Sequence, residues 1–381
     1  MARTRIDLTK LPYAKKGSTC TPVFPHQFIR TNTIFNVVKN AGLHTAWSDK
    51  HLSYELVSGP NGDGVDDYFA PDINSDPANS LIPTATPGGS FTDTPSATEV
   101  YDDFKVRAIL NEIAGRWSDE GLAGASDTAG RPGVPAVFGM NFQAVSVSQK
   151  SAAAGGGYMD AVGTPGAFLA EALEHTDASI GKMVEALRDR DLLESTLIIV
   201  TAKHGQSPID VKSVHKVDGD AVASLIDGVA PVASHIEDDV GLYWLKDAAT
   251  APLAASILLS PPAGAVNPLA GVVMTTSTEA GFLSMFGDPT KDPHAPDLVL
   301  QPKHGVIYSL SKKKNEEHGG FDEDDSHVGL LVSNPSLEPG VVATAVRTKQ
   351  VAPTIVRALG LDPQALDAVR LEHTDTLPEV F

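Results

Sequence analysis

The sequence predicts an α/β fold, on three observations. Thr196 to Val200 (Thr-Leu-Ile-Ile-Val) is a short, unbroken apolar run rich in β-branched residues, the pattern of a strand buried on both faces. From Pro165 to Asp191 the residues Phe168, Leu169, Ala172, Leu173, Ile180, Met183, Val184 and Leu187 recur at three and four, which gives a helix one apolar stripe. The run then stops at Lys203, His204 and Gly205, polar groups at the carboxyl end of a buried strand, where open α/β sheets carry their chemistry.

Length and composition bound the rest. A chain of 381 residues suffices for one large α/β domain with an embellishment. With 42% hydrophobic and 20% charged residues it is ordinary for a globular protein. No stretch reaches the roughly 18 unbroken apolar residues of a membrane span. The net charge of −19 argues against a nucleic-acid duplex as partner, since such binding is driven by Lys and Arg displacing counterions. Cys20, the single cysteine, cannot form an internal disulfide. The basic N-terminus lacks a following apolar segment, so no secretory signal is expected in this chain, and the compartment stays open.

In chain order, residues 1–30 are Pro-rich and aperiodic and do not read as the first strand of a domain. Thr33 to Asn40 reads as a short helix, and Leu43 to Trp47 as a strand ending on Ser48, Asp49, Lys50 and His51; Asp49 and His51 are secondary polar candidates. Asn61 to Thr98 is loop-like, with turn signals at Gly62-Asp63-Gly64 and Pro87-Gly88-Gly89, and its Asp residues lack the spacing of a calcium loop. Thr98 to Trp117 is a helix, and Val134 to Phe142 a strand that delivers Asn141, Gln143 and, further on, Gln149 and Lys150.

After the central strand, residues 211–295 change texture. Strands at Val240 to Leu245 and Gly271 to Thr276 alternate with helices at Ala249 to Leu259 and Ser277 to Phe286, a small α+β inset beside the site. Residues 1–210 and 296–381 then form the α/β core. Asp297 to Leu300 and Gly305 to Leu310 are short strands, and Lys303-His304-Gly305 is a turn. Asp322, Glu323, Asp324 and Asp325 form a solvated acidic loop, His327 a ligand or a cap, Val328 to Val332 a buried strand, and Gln350 to Leu359 a closing helix.

Three stretches together resemble the alkaline phosphatase superfamily, within it the type I phosphodiesterase and nucleotide pyrophosphatase branch. The helix with Asp177 and Gly181 leads into Thr196 to Gly205, similar to the family's strand ending in Asp-His-Gly. His318-Gly319-Gly320, followed by Gly329 to Val332, is similar to its late His-Gly. Thr348 to Leu361, with Ala352-Pro353-Thr354, is similar to its closing helix. The resemblance runs from about residue 31 to the C-terminus. It implies a central, mostly parallel sheet with helices on both faces. It also implies two divalent metals, zinc, about 4 Å apart, polarising phosphoryl oxygens while a Ser or Thr attacks phosphorus. His204 and His318 would be metal ligands, one for each metal.

This sequence also departs from the family. Lys203 stands where the family has an aspartate ligand, and a protonated ammonium offers no lone pair. Where the family's Asp and His ligands are expected lie Asn141, Gln143 and Gln149, and amides ligate zinc poorly. Thr21, near Phe24-Pro25-His26, is the candidate nucleophile, with no apolar strand before it. These departures reduce the metal to one site or remove it. The expected function is hydrolysis of a small phosphate ester or diester. Lys203 would act as an electrostatic clamp or enter a structural ion pair, and Asn141, Gln143 and Gln206 would contact substrate. The alternative is a degenerate member that binds an anionic ligand or a partner without turnover.

Overall fold

The computed structural model describes residues 3–5, 11–74, 90–122, 130–260, 270–275 and 285–381. Strand β1 (Arg3–Arg5) and the hairpin of β2 (Tyr13–Lys16) and β3 (Thr19–Pro22) come first. Then follow α1 (Ile34–Asn40), β4 (Ala46–Ser48), β5 (Asp67–Phe69), α2 (Pro95–Ile113), α3 (Ala144–Lys150), α4 (Ala167–Arg188) and β6 (Ile198–Thr201). The middle holds β7 (His215–Lys216), α5 (Gly219–Asp227), β8 (Val232–Glu237), β9 (Gly241–Leu245), α6 (Ala251–Leu259), β10 (Ala270–Thr275), β11 (Leu298–Pro302) and β12 (Val306–Ile307). The chain ends with α7 (Glu323–Ser326), β13 (Leu330–Ser333), α8 (Val351–Ala358) and α9 (Asp367–Glu372). Two compact units result: Met1–Val147, Ala172–Val200 and Leu331–Phe381 in the first, Ser148–Glu171 and Thr201–Leu330 in the second. The expected inset at 211–295 falls within the second unit, which also takes in residues 148–171, 201–210 and 296–330.

The first unit is built on a parallel sheet in the order β1-β5-β4. Side chains alternate across β5, so Tyr68 packs with Phe35 and Val38 of α1, and Phe69 with Tyr101 and Ala108 of α2. Helices therefore cover both faces. Tyr68, Phe69 and Tyr101 are almost fully buried, and burying such a side chain contributes roughly 1.5–3 kcal/mol. On another part of α2, Ile109 and Ile113 meet Leu187 of α4 and the half-buried Ile198. Val356 of α8 closes on Val37 and Val369.

Three local readings of the sequence change here. Arg3–Arg5 does join the sheet, beside β5; its polar Arg-Thr-Arg sequence carries no apolar signal of pairing. Val134 to Phe142 forms no full strand. It runs as an extended segment bridged in parallel at Val137 to Thr45 and Met140 to Ser48, where Gly139 lets Trp47 approach: a Cβ there would lie 2.7 Å from the indole. And β6, expected to be buried on both faces, is half-buried at Ile198 and Ile199 and exposed at Val200. It pairs with β13 alone among the described residues, and a two-stranded ribbon cannot cover both edges. The expected helix at Ser277 to Phe286 and the turn at Pro87 to Gly89 lie outside the described residues, Met285 and Phe286 apart.

The second unit carries a four-stranded antiparallel sheet, β10-β11-β9-β8. Tyr243 and Leu245 of β9 with Leu298 and Leu300 of β11 pack on Val222 and Ile226 of α5 and on Ala254 and Leu258 of α6. The alternate residue Val299 packs with Val240 on the opposite side of the sheet.

Candidate functional site

The second unit brings two distant loops together by backbone hydrogen bonds. Thr201, the last residue of β6, donates its hydroxyl to Gly329 O at 3.0 Å. Beyond it, Gly205 N donates to Asp325 O (2.6 Å) and Gln206 N to Asp324 O (3.3 Å), while Ser207 and Glu317 exchange N–H···O bonds of 2.8 and 2.9 Å. The loop of 203–209 thus lies between Glu317 and Asp324–Asp325. Only glycine fits at 205, because a Cβ there would lie 2.1 Å from Asp324 O. The Asp324 carboxylate fastens the far end, accepting from Ile209 N (2.9 Å) and bonded to His304 Nε2 (2.9 Å).

This arrangement stacks His204 on His318, with ring centroids 3.9 Å apart and planes at 29°. His204 Nδ1 lies 2.7 Å from Gly205 O. A carbonyl only accepts, so Nδ1 carries the hydrogen and the neutral ring presents its lone pair at Nε2. Gly319, next to His318, has φ +103°, a conformation that favours glycine, and its N–H donates to Asp325 Oδ2 at 2.6 Å.

Around the loops lie acids largely withdrawn from water. Glu316, Glu317, Asp239 and Asp325 are buried. Burial pushes the Asp239 carboxyl up to about 8, with the nearby Asp325 charge adding to it. Burial raises Glu316 to about 8 as well, against the pull of Lys150, and Asp238 to about 6, where Glu317 adds to the rise. The Asp325 carboxyl is raised by burial despite the amides of Gly319 and Gly320. The Lys150 ammonium is lowered, again first by burial. Lys314 pairs with Glu317 at 2.8 Å, and Gln149 donates to the Tyr158 hydroxyl at 2.8 Å.

The family model described as Type I phosphodiesterase / nucleotide pyrophosphatase matches residues 150–325, the segment that holds both histidines. Over that segment, somewhat less than half of its length, the chain is similar to this branch of the alkaline phosphatase superfamily. No curated protein matches it by sequence. Among solved structures, an inactive murine ectonucleotide pyrophosphatase/phosphodiesterase 5 in complex with AMP aligns over 90% of this chain and 71% of that one, at 13% identity and TM-score 0.54. Phosphonoacetate hydrolase from Sinorhizobium meliloti, in complex with phosphonoacetate, aligns over 92% of this chain and 79% of that one, at 15% identity and TM-score 0.52. At such identities the likeness establishes the alkaline-phosphatase-like fold. The branch is one of phosphoester hydrolases.

The residues that the resemblance singles out divide between the units. Lys203, His204, Gln206 and His318 belong to the second; Thr21, Asn141 and Gln143 belong to the first. Lys203 is exposed, and Gln206 is buried. Thr21 sits on the exposed β2–β3 hairpin, its hydroxyl 3.5 Å from Ala14 O, a contact that does not activate it for attack. Gln143 is tied up structurally: its Oε1 accepts from Lys50 Nζ at 2.5 Å, and its N–H is capped by Asp102 at 2.8 Å. Asn141 O accepts from Lys105, which pairs with Asp102 in full burial. Asp49 is buried, bonded to Trp47 Nε1, and His51 lies 3.5 Å from Asp72.

A zinc pair does not fit the residues present. Among the described residues no group of three or more His, Cys, Asp or Glu side chains is arranged to hold a metal. Lys203 puts positive charge beside His204, and imidazoles stacked face to face do not aim their in-plane lone pairs at a common point. The acidic loop is also not simply solvated: Asp325 is buried and Asp324 is bonded at both the loop and His304. His327 is exposed and 3.2 Å from Glu323, without a ligand set. Asp239 escaped the sequence reading, and Asp325 was read there as part of a solvated loop. A turn aspartate before β9 and an acid within an acidic run look solvated until the fold buries them.

Proposed function

We propose that the chain hydrolyses small phosphate esters or diesters, with His204 and His318 at the reacting centre and Lys203 as the cation that faces the phosphoryl oxygens. The stacking of the two imidazoles supports this reading most directly, because two zipped loops hold them together at the end of β6. His204, with its proton fixed on Nδ1, offers Nε2 to the proton of an attacking hydroxyl or water, which is general base chemistry. Lys203 supplies charge to the oxygens as they become more negative. The net charge of −19 favours small substrates over nucleic-acid duplexes. The AMP in the murine neighbour makes nucleotides the first compounds to test.

The experiment is hydrolysis of an aryl phosphodiester, an aryl phosphomonoester and a nucleotide by the purified protein, beside its His204→Ala and His318→Ala variants. Turnover lost in both variants supports the proposal. Turnover that persists in both overturns it.

A second reading, binding of a phosphate-bearing ligand without turnover, is favoured by Lys203 at the family's aspartate position and by the lack of a metal-holding group among the described residues. Residues that act as a unit in catalysis lose most of the rate when members are replaced. Saturable nucleotide binding with no hydrolysis by the unmodified protein would select it.

A further inference from the structure

We propose that Asp239 and Asp325 hold a hard divalent cation, calcium or magnesium, behind the His318 loop. Asp239 lies in the turn between β8 and β9, 3% exposed, and no well-directed donor reaches either of its carboxylate oxygens. Its carboxylate faces the backbone of Gly320, where a Cβ would stand 3.0 Å from Oδ1. Asp325, also 3% exposed, takes the Gly319 N–H on Oδ2 and leaves Oδ1 buried without a partner. Three carboxylate oxygens around one glycine loop therefore lack a well-directed donor, the amides of Asp239 and Gly320 lying near the Asp239 carboxylate without good geometry.

Buried carboxylates in that state are costly unless a proton or a cation compensates them. A single shared proton makes one O–H···O bond and satisfies two of the three oxygens. A cation accepts all three. Carboxylate oxygens without nitrogen or sulfur select hard ions such as Ca²⁺ or Mg²⁺ over zinc. Such an ion would brace Gly319 and Gly320, and through them the seat of His318, without touching substrate. Cation binding at this site does not depend on whether the proposed hydrolase reaction occurs.

The test is calorimetric titration of chelator-treated protein with CaCl₂ and with MgCl₂, paired with thermal unfolding at pH 8 over the same concentrations. The expected result is saturable binding of one cation, with a midpoint that rises with cation concentration, both lost in Asp239→Asn and in Asp325→Asn and both kept in His204→Ala. Circular dichroism checks that the variants are folded, and the titration of the unmodified protein decides the matter even if they are not. No binding and no shift at millimolar cation overturns the proposal. So does a shift that survives both substitutions, or a stability that responds to pH alone.

Discussion

The imidazoles of His204 and His318 stack at 3.9 Å between centroids, although one follows β6 and the other lies in the loop before α7. The contact depends on backbone pairing of Gly205, Gln206 and Ser207 with Asp325, Asp324 and Glu317. Side chains set the chemistry here, but main-chain hydrogen bonds set the distance.

Gly205 is the most sensitive point of that pairing. A Cβ there would meet Asp324 O at 2.1 Å, and backbone cannot swing aside as a side-chain tip can. Gly205→Ala is expected to cost about 1–3 kcal/mol, the range for overpacking. It should also lower activity more than stability alone explains. Urea denaturation and a hydrolysis assay on the folded fraction check both.

In the first unit, Lys105 and Asp102 pair at 3.1 Å with neither side chain exposed, and Asp102 also caps α3 through the Gln143 and Ala144 amides. Lys105→Met strands that carboxylate and should cost about 3–5 kcal/mol. Replacing both, Lys105→Met with Asp102→Asn, should cost less than the sum of the single changes. Denaturant midpoints of the three variants measure the coupling.

Stability should fall as pH rises in chelator-treated protein. The Asp239 carboxyl sits at about 8 and that of Asp238 at about 6 in the folded state, above the ordinary value of roughly 3.9. Each favours the fold fully below its unfolded value and loses that contribution as pH climbs through its folded value. Asp238 should complete its loss by about pH 6, and Asp239 and Glu316, whose carboxyl is likewise raised to about 8, by about pH 8. Unfolding midpoints at pH 5, 7 and 9 should decline, and Asp239→Asn should flatten the upper part of the curve.

Lys203→Ala should weaken phosphate recognition without unfolding the protein, since Lys203 is exposed. Loss of one charge-assisted contact worth about 1.5–3 kcal/mol predicts a drop in kcat/KM of roughly 10- to 100-fold. Restoration by Lys203→Arg would show that charge matters there.

Parts of this were written plainly in the sequence. The apolar run before Lys203 located β6 and the polar residues after it, and the helical spacing from Phe168 to Leu187 located α4. His318 was marked by the glycines that follow it. Other features depend on contacts that periodicity does not encode. Lys105 looks like a solvent residue of α2 until Asp102 neutralises it, and Asp325 looks like its acidic neighbours until Gly319 closes over it. β1 has no apolar residue to mark it as a strand. The exposure of β6 follows from its pairing with β13 alone among the described residues, a matter of topology.

The most direct measurement is the rate at which His204→Ala hydrolyses an aryl phosphodiester, compared with the unmodified protein at equal folded concentration. Removing a general base should lower kcat/KM by roughly 10²–10⁴-fold. A variant as active as the unmodified protein would contradict a reacting centre at the stacked histidines.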